Sequence, residues 1–508
     1  MKETVMSGSI THGKAPQTVQ MPFMFRLFFG LFFSASGALL FTLAFPPYSF
    51  WPLAFIWMVP VMLAVHRIMP ERLSGLAMGV GVGGFFYGYF GAMFEGVLFM
   101  QFLPLLIGIM AALMGLRDRL FHARTGYRWF ILHGAAVWVG IEMIRGFIPV
   151  IGTWGFAAYT LYRLPWIVQP VSIFSIYGMS LLIMLFNYAL AQLLLACMDR
   201  RWKFEEKNVP VNPARAIRWA GGVLLLLLVW GGVSMSMYHT PEPDLQVAAV
   251  QPAAIISPEA DEEGINKGLQ IIGGLTRQAA DEGARFIVWP EGYLSFDPRE
   301  KETSFFMQLA EETGAYIAIG YIVQTDEGLR NEATVISPEK EFLGVFGKDH
   351  PVAFAGETSI TRGEYPVYDT EIGSLGTIIC YDLDFTDTAR KVASNGAEVI
   401  GVPSADWPAI AHKHYSHVVF RAVENRVSMI KADTAFNSAI IDPYGNIIKK
   451  HVSPLGDRAV LVGGVPLGSS DTISMRWGDW IGWISLAAMI FFLGMDFYTA
   501  FWEKKQRG

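Results

Sequence analysis

Stretches of about 20 mainly apolar positions, the length a helix needs to cross a bilayer, occur in eight places: 23–44, 51–69, 74–94, 97–115, 129–147, 166–197, 217–237 and 479–501. The first lies too far from residue 1, and is too closely followed by the second, to read as a cleaved signal segment. Between these two, Phe45-Pro46-Pro47-Tyr48 predicts a turn, because two prolines cannot continue a helix. After Pro241 the texture changes to short β-branched runs alternating with amphipathic polar stretches. Strands are expected at 245–251, 285–291, 315–323, 332–337, 342–348, 377–382, 398–403, 427–433 and 438–442. Helices are expected at about 261–282, 301–313, 384–395 and 408–425. Strands alternating with helices predict a layered α/β domain. The reading is therefore a cytoplasmic tail (1–22), a polytopic α-helical membrane domain of seven transmembrane helices (23–240), an α/β extracytoplasmic domain (241–475), an eighth helix (479–501) and a tail (502–508).

Composition sharpens this division. Of the 508 residues, 52% are hydrophobic and 17% charged, against about 25% charged in soluble domains. A purely soluble enzyme is excluded. Residues 241–475 hold 34 Asp and Glu against 18 Lys and Arg, a net of −16, which gives no reason to expect nucleic-acid binding. With the N-terminus in the cytoplasm, the inside segments carry 18 Lys and Arg and the short outside loops only Arg145 and Arg163. Such a bias orients a membrane protein. It delivers 241–475 to the outside face and returns the C-terminus to the cytoplasm. The two cysteines, Cys197 and Cys380, are too few for a disulfide framework or a cysteine-rich zinc site. Glu142 and Arg145 are expected to form a structural ion pair closing the fifth span. The glycines at 79, 81, 83, 84, 88 and 91 predict close helix packing.

Candidate chemistry gathers where predicted strands end. Ile287-Val288-Trp289-Pro290-Glu291 runs into a carboxylate, Gly347-Lys348 into an ammonium and Ile378-Ile379-Cys380 into a thiol. Together they suffice for covalent acyl transfer. The carboxylate takes the thiol proton, the thiolate attacks, and the cation stabilises the developing oxyanion.

This ordered Glu, Lys, Cys set resembles the nitrilase or carbon–nitrogen hydrolase superfamily. With the flanking spans, the chain resembles the apolipoprotein N-acyltransferase family over roughly residues 30–500. The resemblance also rests on Phe45-Pro46-Pro47, Phe50-Trp51-Pro52, Glu142 to Gly146, Gly152-Thr153-Trp154-Gly155, Tyr177-Gly178, Val250-Gln251-Pro252, Arg421 to Asn425, Asp442-Pro443-Tyr444-Gly445 and Gly478-Asp479-Trp480. It implies a nitrilase-like α-β-β-α sandwich. Glu291 is then the general base, Lys348 the transition-state stabiliser and Cys380 the nucleophile. Glu357 is a second active-site glutamate, and Tyr381, Asp382, Trp154 and His414 bind substrate or support the site. The implied partners are a phospholipid acyl donor, a diacylglyceryl-lipoprotein acceptor and a bacterial inner membrane, with no cofactor.

Three departures from the family pattern stand out: Cys380-Tyr381-Asp382 where glutamate is usual, one extra residue between Lys348 and Glu357, and a missing tryptophan after Val250-Gln251-Pro252. They fall on loops around the pocket and bear on substrate identity. His412, His414 and His417 lie on the expected 408–425 helix. Only His414 and His417 come near one face, and structural or pocket-lining roles are expected rather than a metal. Arg421, Glu424 and Asn425 are expected to make helix-end polar contacts. Competing functional readings are a membrane-anchored amidohydrolase using the same three residues with water as acceptor, an acyltransferase for another amine, and a non-catalytic scaffold.

Overall fold

The computed structural model describes residues 17–18, 21–91, 93, 101–203 and 209–507. Most of the expected N-terminal tail lies outside them. Among the described residues, six helical segments are long and apolar enough to cross a membrane: Phe23–Ala44, Trp51–Ile68, Glu71–Phe90, Val171–Arg201, Pro213–Met237 and Trp480–Gln506. The membrane-side helices are α1 (Phe23–Ala44), α2 (Met58–Leu63), α3 (Ser74–Phe90), α4 (Leu103–Thr125), α5 (Phe130–Arg145), α6 (Val171–Arg201) and α7 (Pro213–Met237). The expected spans at 97–115 and 129–147 correspond to α4 and α5, residues 97–100 falling outside the described ones. Neither meets the same criterion. The charges of Arg117, Asp118 and Arg119 enter the last turns of α4. The 16 residues of α5 rise about 24 Å.

Gly75, Gly79 and Gly83 recur every fourth residue on α3. A Cβ at Gly79 would lie 2.7 Å from the Gly108 carbonyl oxygen, and one at Gly83 2.8 Å from Gly108 Cα. The two helix backbones touch there, as the glycine spacing predicts. Glu142 and Arg145 do not pair. The Glu142 carboxylate accepts from Trp138 Nε1 and the Ala157 amide, both at 2.9 Å, while Arg145 donates to the Trp154 carbonyl. Each side chain holds the chain that follows α5 instead of its neighbour three residues away.

The polar half is two six-stranded sheets packed face to face. The first contains β1 (Leu245–Gln251), β2 (Phe286–Val288), β3 (Tyr316–Thr325), β4 (Gly328–Ile336) and β5 (Phe342–Gly347). The second contains β6 (Val367–Thr370), β7 (Gly373–Thr377), β8 (Val399–Ser404), β9 (Ser428–Asp433), β10 (Asn437–Ile441) and β11 (Ile447–Val452). The last strand, β12 (Ala459–Val465), returns to the first sheet. The orders are β12-β1-β2-β3-β4-β5 and β11-β10-β9-β8-β7-β6. Each has a parallel centre, β1-β2-β3 and β7-β8-β9, flanked by antiparallel edges.

Alternation along β1 separates two cores. Val247 and Ala249 meet Leu375, Val399 and Ile430 between the sheets. Ala248 and Val250 face α8 (Glu262–Asp281) and α9 (Thr303–Thr313) through Ile265, Leu269 and Phe306. The outer face of the second sheet is covered by α10 (Asp387–Ser394) and α11 (Tyr415–Asn425), giving the expected α-β-β-α sandwich. The final helix is α12 (Trp480–Arg507).

Helix α11 is also the seam with the membrane half. His417 stacks on Tyr159 with ring centroids 4.0 Å apart. Inside α6, Ser175 takes φ 54, ψ 179 and breaks the helix, which frees the Ile176 amide. Glu424 captures it at 2.7 Å, with Arg421 3.0 Å away. These two groups are therefore buried seam contacts, not ordinary helix-end ones.

Two expected elements are corrected. The 377–382 strand ends at Thr377, and Cys380–Asp384 is a 3-10 turn. The 408–425 helix is divided. Pro408–Ile410 forms one turn and α11 begins after His414. His412 thus lies off the helix.

Candidate active site

Three strand ends meet at one edge of the sandwich. Beyond β2, Trp289 anchors the crossover through Nε1 to Thr276 Oγ1 at 3.0 Å, and Glu291 projects from the turn, 5% exposed. Beyond β5, Lys348 is 1% exposed, its amide bonded to the Asn331 carbonyl of β4 at 2.9 Å. Beyond β7, Cys380 opens the 3-10 turn with φ 43. Few L-residues adopt that region, and such strain persists only where surroundings impose it. The imposing group is Asp382. Its carboxylate accepts from the amides of Ile379 at 2.9 Å and His350 at 2.8 Å, so it braces the turn from behind. Burial pushes the Asp382 carboxyl up to about 7.

Lys348 Nζ donates to Glu291 Oε1 at 2.7 Å and to Glu357 Oε2 at 2.8 Å. Asn331 Nδ2 donates to both carboxylates, at 2.7 Å to Glu291. Glu357 is folded back onto the lysine by the Ala353–Ala355 turn and by a 2.8 Å bond from the Val352 amide. Burial disfavours the Lys348 cation, but Glu291 and the other anionic neighbours outweigh it and hold the group protonated. The Cys380 thiol is pushed well above its ordinary value, first by burial and then by Glu291. A neutral thiol resting beside a carboxylate needs a base to become a nucleophile.

All four expected groups, Glu291, Lys348, Glu357 and Cys380, line one cavity of ≈ 250 Å³, together with Tyr381 and His414. Asp382 and Trp154 do not line it. Trp154 lies behind, its Nε1 donating to Asp384 Oδ2 at 2.8 Å. Tyr381 donates to the Pro149 carbonyl of the loop after α5 at 3.0 Å, which joins the turn to the membrane half.

The sequence reading missed Asn331, Asp384, Asp406 and Lys431. Asp406 Oδ1 stands 3.8 Å from Cys380 Sγ. His414 Nδ1 lies 2.6 Å from the same oxygen, and Lys431 Nζ donates to Asp406 Oδ2 at 2.9 Å. Burial lowers His414, but Asp406 and Asp384 raise it further, to about 9. His417 goes the other way, to about 4, because burial dominates there. Asp384, His414 and His417 do converge, with carboxylates supplied from distant segments that residue spacing could not reveal.

Two family models match in tandem. The apolipoprotein N-acyltransferase N-terminal domain covers residues 36–189, and carbon-nitrogen hydrolase covers residues 246–470. The apolipoprotein N-acyltransferase of Geobacter metallireducens is 27% identical over 499 residues, covering 89% of this chain and 92% of that protein. The chain belongs to the apolipoprotein N-acyltransferase family. The N-acyltransferase of Pseudomonas syringae pv. tomato is 25% identical over 509 residues, covering 90% of this chain and 96% of that one. Among solved structures, an amidase from Nesterenkonia sp. aligns over 47% of this chain and 98% of its own, at 19% identity and TM-score 0.38. The N-acyltransferase assignment thus spans both the helical half and the sandwich.

Proposed function

We propose that the chain moves an acyl chain from a phospholipid to the N-terminal amine of an S-diacylglyceryl-cysteine lipoprotein, through a thioester on Cys380. Glu291 takes the thiol proton as Sγ attacks the ester carbonyl. Lys348 stabilises the oxyanion, and Glu291 returns the proton to the departing glyceryl oxygen. The acceptor amine then attacks the thioester and gives its proton to Glu291, and the thiol is restored. No water or cofactor is consumed. Glu357 and Asn331 hold Lys348 and Glu291 in place. Tyr381 and Trp154 tie the nucleophile turn to the membrane loop, and His414 positions Asp406.

The observation that carries this reading is the shared cavity: carboxylate, ammonium and thiol face one space beside the loop that follows α5. Lipid substrates remain in the membrane, and the Tyr381–Pro149 contact, which joins the nucleophile turn to the helical half, supports a cavity open to them. We place the protein in a bacterial inner membrane with eight spans, the sandwich on the periplasmic side and both termini in the cytoplasm.

The test is to incubate the purified protein with phospholipid and a diacylglyceryl lipopeptide and follow the lipopeptide mass. The expected result is a gain of one acyl group, abolished by Cys380→Ser. Ammonia or amine release from small amides without lipid, and no acyl gain, would overturn the reading in favour of an amidohydrolase.

A further inference from the structure

On the membrane helices, far in sequence from the cavity, four side chains converge. His66 lies in the π-helical turn Ala64–Ile68 that continues α2, Asp118 and His122 on α4, and His133 on α5. Wide turns of this kind are rare and recur at functional sites. His66 Nε2 is 3.0 Å from Asp118 Oδ2. His122 Nε2 and His133 Nδ1 are each 3.2 Å from Asp118 Oδ1. His66 and His122 are fully buried, whereas Asp118 and His133 keep 11% and 13% exposure. The latter two also line a cavity of ≈ 660 Å³ between α3, α4, α5 and α12, so they are reachable without unfolding.

The decisive detail is angular. Despite the 3.2 Å approach, neither ring nitrogen of His122 nor Nδ1 of His133 has a hydrogen-bond partner. A buried imidazole without a partner calls for an unseen water or ion. Ligands of one ion aim their lone pairs at a common point, not at each other. Bonds of about 2.0 Å place tetrahedral ligand atoms about 3.3 Å apart, close to the 3.2 Å that separates each of these two rings from Asp118 Oδ1.

The cluster beside the nucleophile turn differs. His417 Nδ1 and Asp384 Oδ1 also make no hydrogen bond, but at 2.6 Å they stand closer than two ligands of one tetrahedral ion. The other Asp384 oxygen is taken by Trp154. In the membrane cluster two imidazoles and one carboxylate converge, those of Asp118, His122 and His133. They make a donor set suited to a divalent transition metal, zinc above all, with one position left open. His66, hydrogen-bonded to Asp118 Oδ2 at 3.0 Å and to the Tyr127 hydroxyl at 3.2 Å, orients the carboxylate.

We infer that Asp118, His122 and His133 bind one zinc-type divalent cation, pinning α4 to α5, with His66 orienting the Asp118 carboxylate from the end of the second helical segment. The inference is independent of the acyl-transfer reading. It departs from the sequence expectation of no metal: Asp118 and His122 stand i, i+4 on α4, but the third ligand, His133, comes from α5.

The test uses the full chain in detergent, stripped with a chelator and titrated with Co²⁺, whose four-coordinate complexes absorb visible light. The expected result is saturable uptake of about one equivalent, displaced by Zn²⁺. The His122→Ala/His133→Ala double variant should weaken it by more than about 10-fold, and His417→Ala should leave it intact. Asp118→Asn serves if the double variant does not fold. No saturable uptake by the wild-type chain, or uptake that is lost with His417→Ala instead, would overturn the inference.

Discussion

His414 stands between two carboxylates, with Nδ1 2.6 Å from Asp406 and Nε2 3.4 Å from Asp384. Raised to about 9 from an ordinary 6.5, it is a cation at neutral pH while its neighbour His417 is neutral. A group whose value rises on folding stabilises fully below its unfolded value, and that stability is lost as pH climbs through the folded one. The thermal midpoint of the wild-type protein should therefore fall between pH 6.5 and about 9, and His414→Gln should start lower and fall less. Parallel curves for the two proteins would show that His414 does not carry this charge. At this scale Glu291, Lys348 and Cys380 were legible because each follows an apolar strand. Asn331 and Lys431 were not: Asn331 falls just before the expected 332–337 strand, which in fact begins at Gly328, and Lys431 sits inside β9, where a polar residue reads as a solvent-facing position. Only the tertiary fold turns both inward, to 0% exposure.

The elements that matter most to the site are two short irregular ones, the loop 146–157 and the turn Cys380–Asp384. Thr153 donates from its amide and hydroxyl to the Asp384 carbonyl, both at 2.9 Å, and Trp154 binds the Asp384 side chain. Replacing Trp154 by phenylalanine keeps the ring but leaves a buried carboxylate oxygen short of its donor. The expected cost is about 1–3 kcal/mol, seen as a lower thermal midpoint together with slower acyl transfer. Thr153→Ser, which keeps the hydroxyl, should change neither by much. Equal behaviour of the two variants would refute a bracing role for Trp154. The strands that sequence reading missed share a cause. β6 has four residues at a sheet edge, β11 carries Lys449, Lys450 and His451, and β12 contains Gly463 and Gly464. Edge and return strands are blunted with charge and glycine, which hides their alternation. The nucleophile turn was misread for the opposite reason: Ile378 and Ile379 continue a perfect strand pattern into a residue held at φ 43.

At the scale of the whole molecule, the sandwich is fastened to the helices at both ends of its chain. Tyr238, just after α7, donates to Asn446 at 2.7 Å. Asp479, just before α12, accepts from Thr386 at 2.6 Å and Arg390 at 3.2 Å. These clamps tie the acidic domain to the helices at both ends, so the side of a membrane on which it stands should follow from theirs. Their basic loops, 18 Lys and Arg against two, predict which side. A cysteine placed at exposed Glu259 in a Cys197→Ser/Cys380→Ser background should react with an impermeant maleimide in intact spheroplasts. One at exposed Ala214, in the first turn of α7, should react only after permeabilisation. The clamps join both ends of the sandwich to the same face. Labelling of Ala214→Cys in intact cells, with Glu259→Cys protected, would therefore invert the entire topology and place the cavity away from periplasmic lipid.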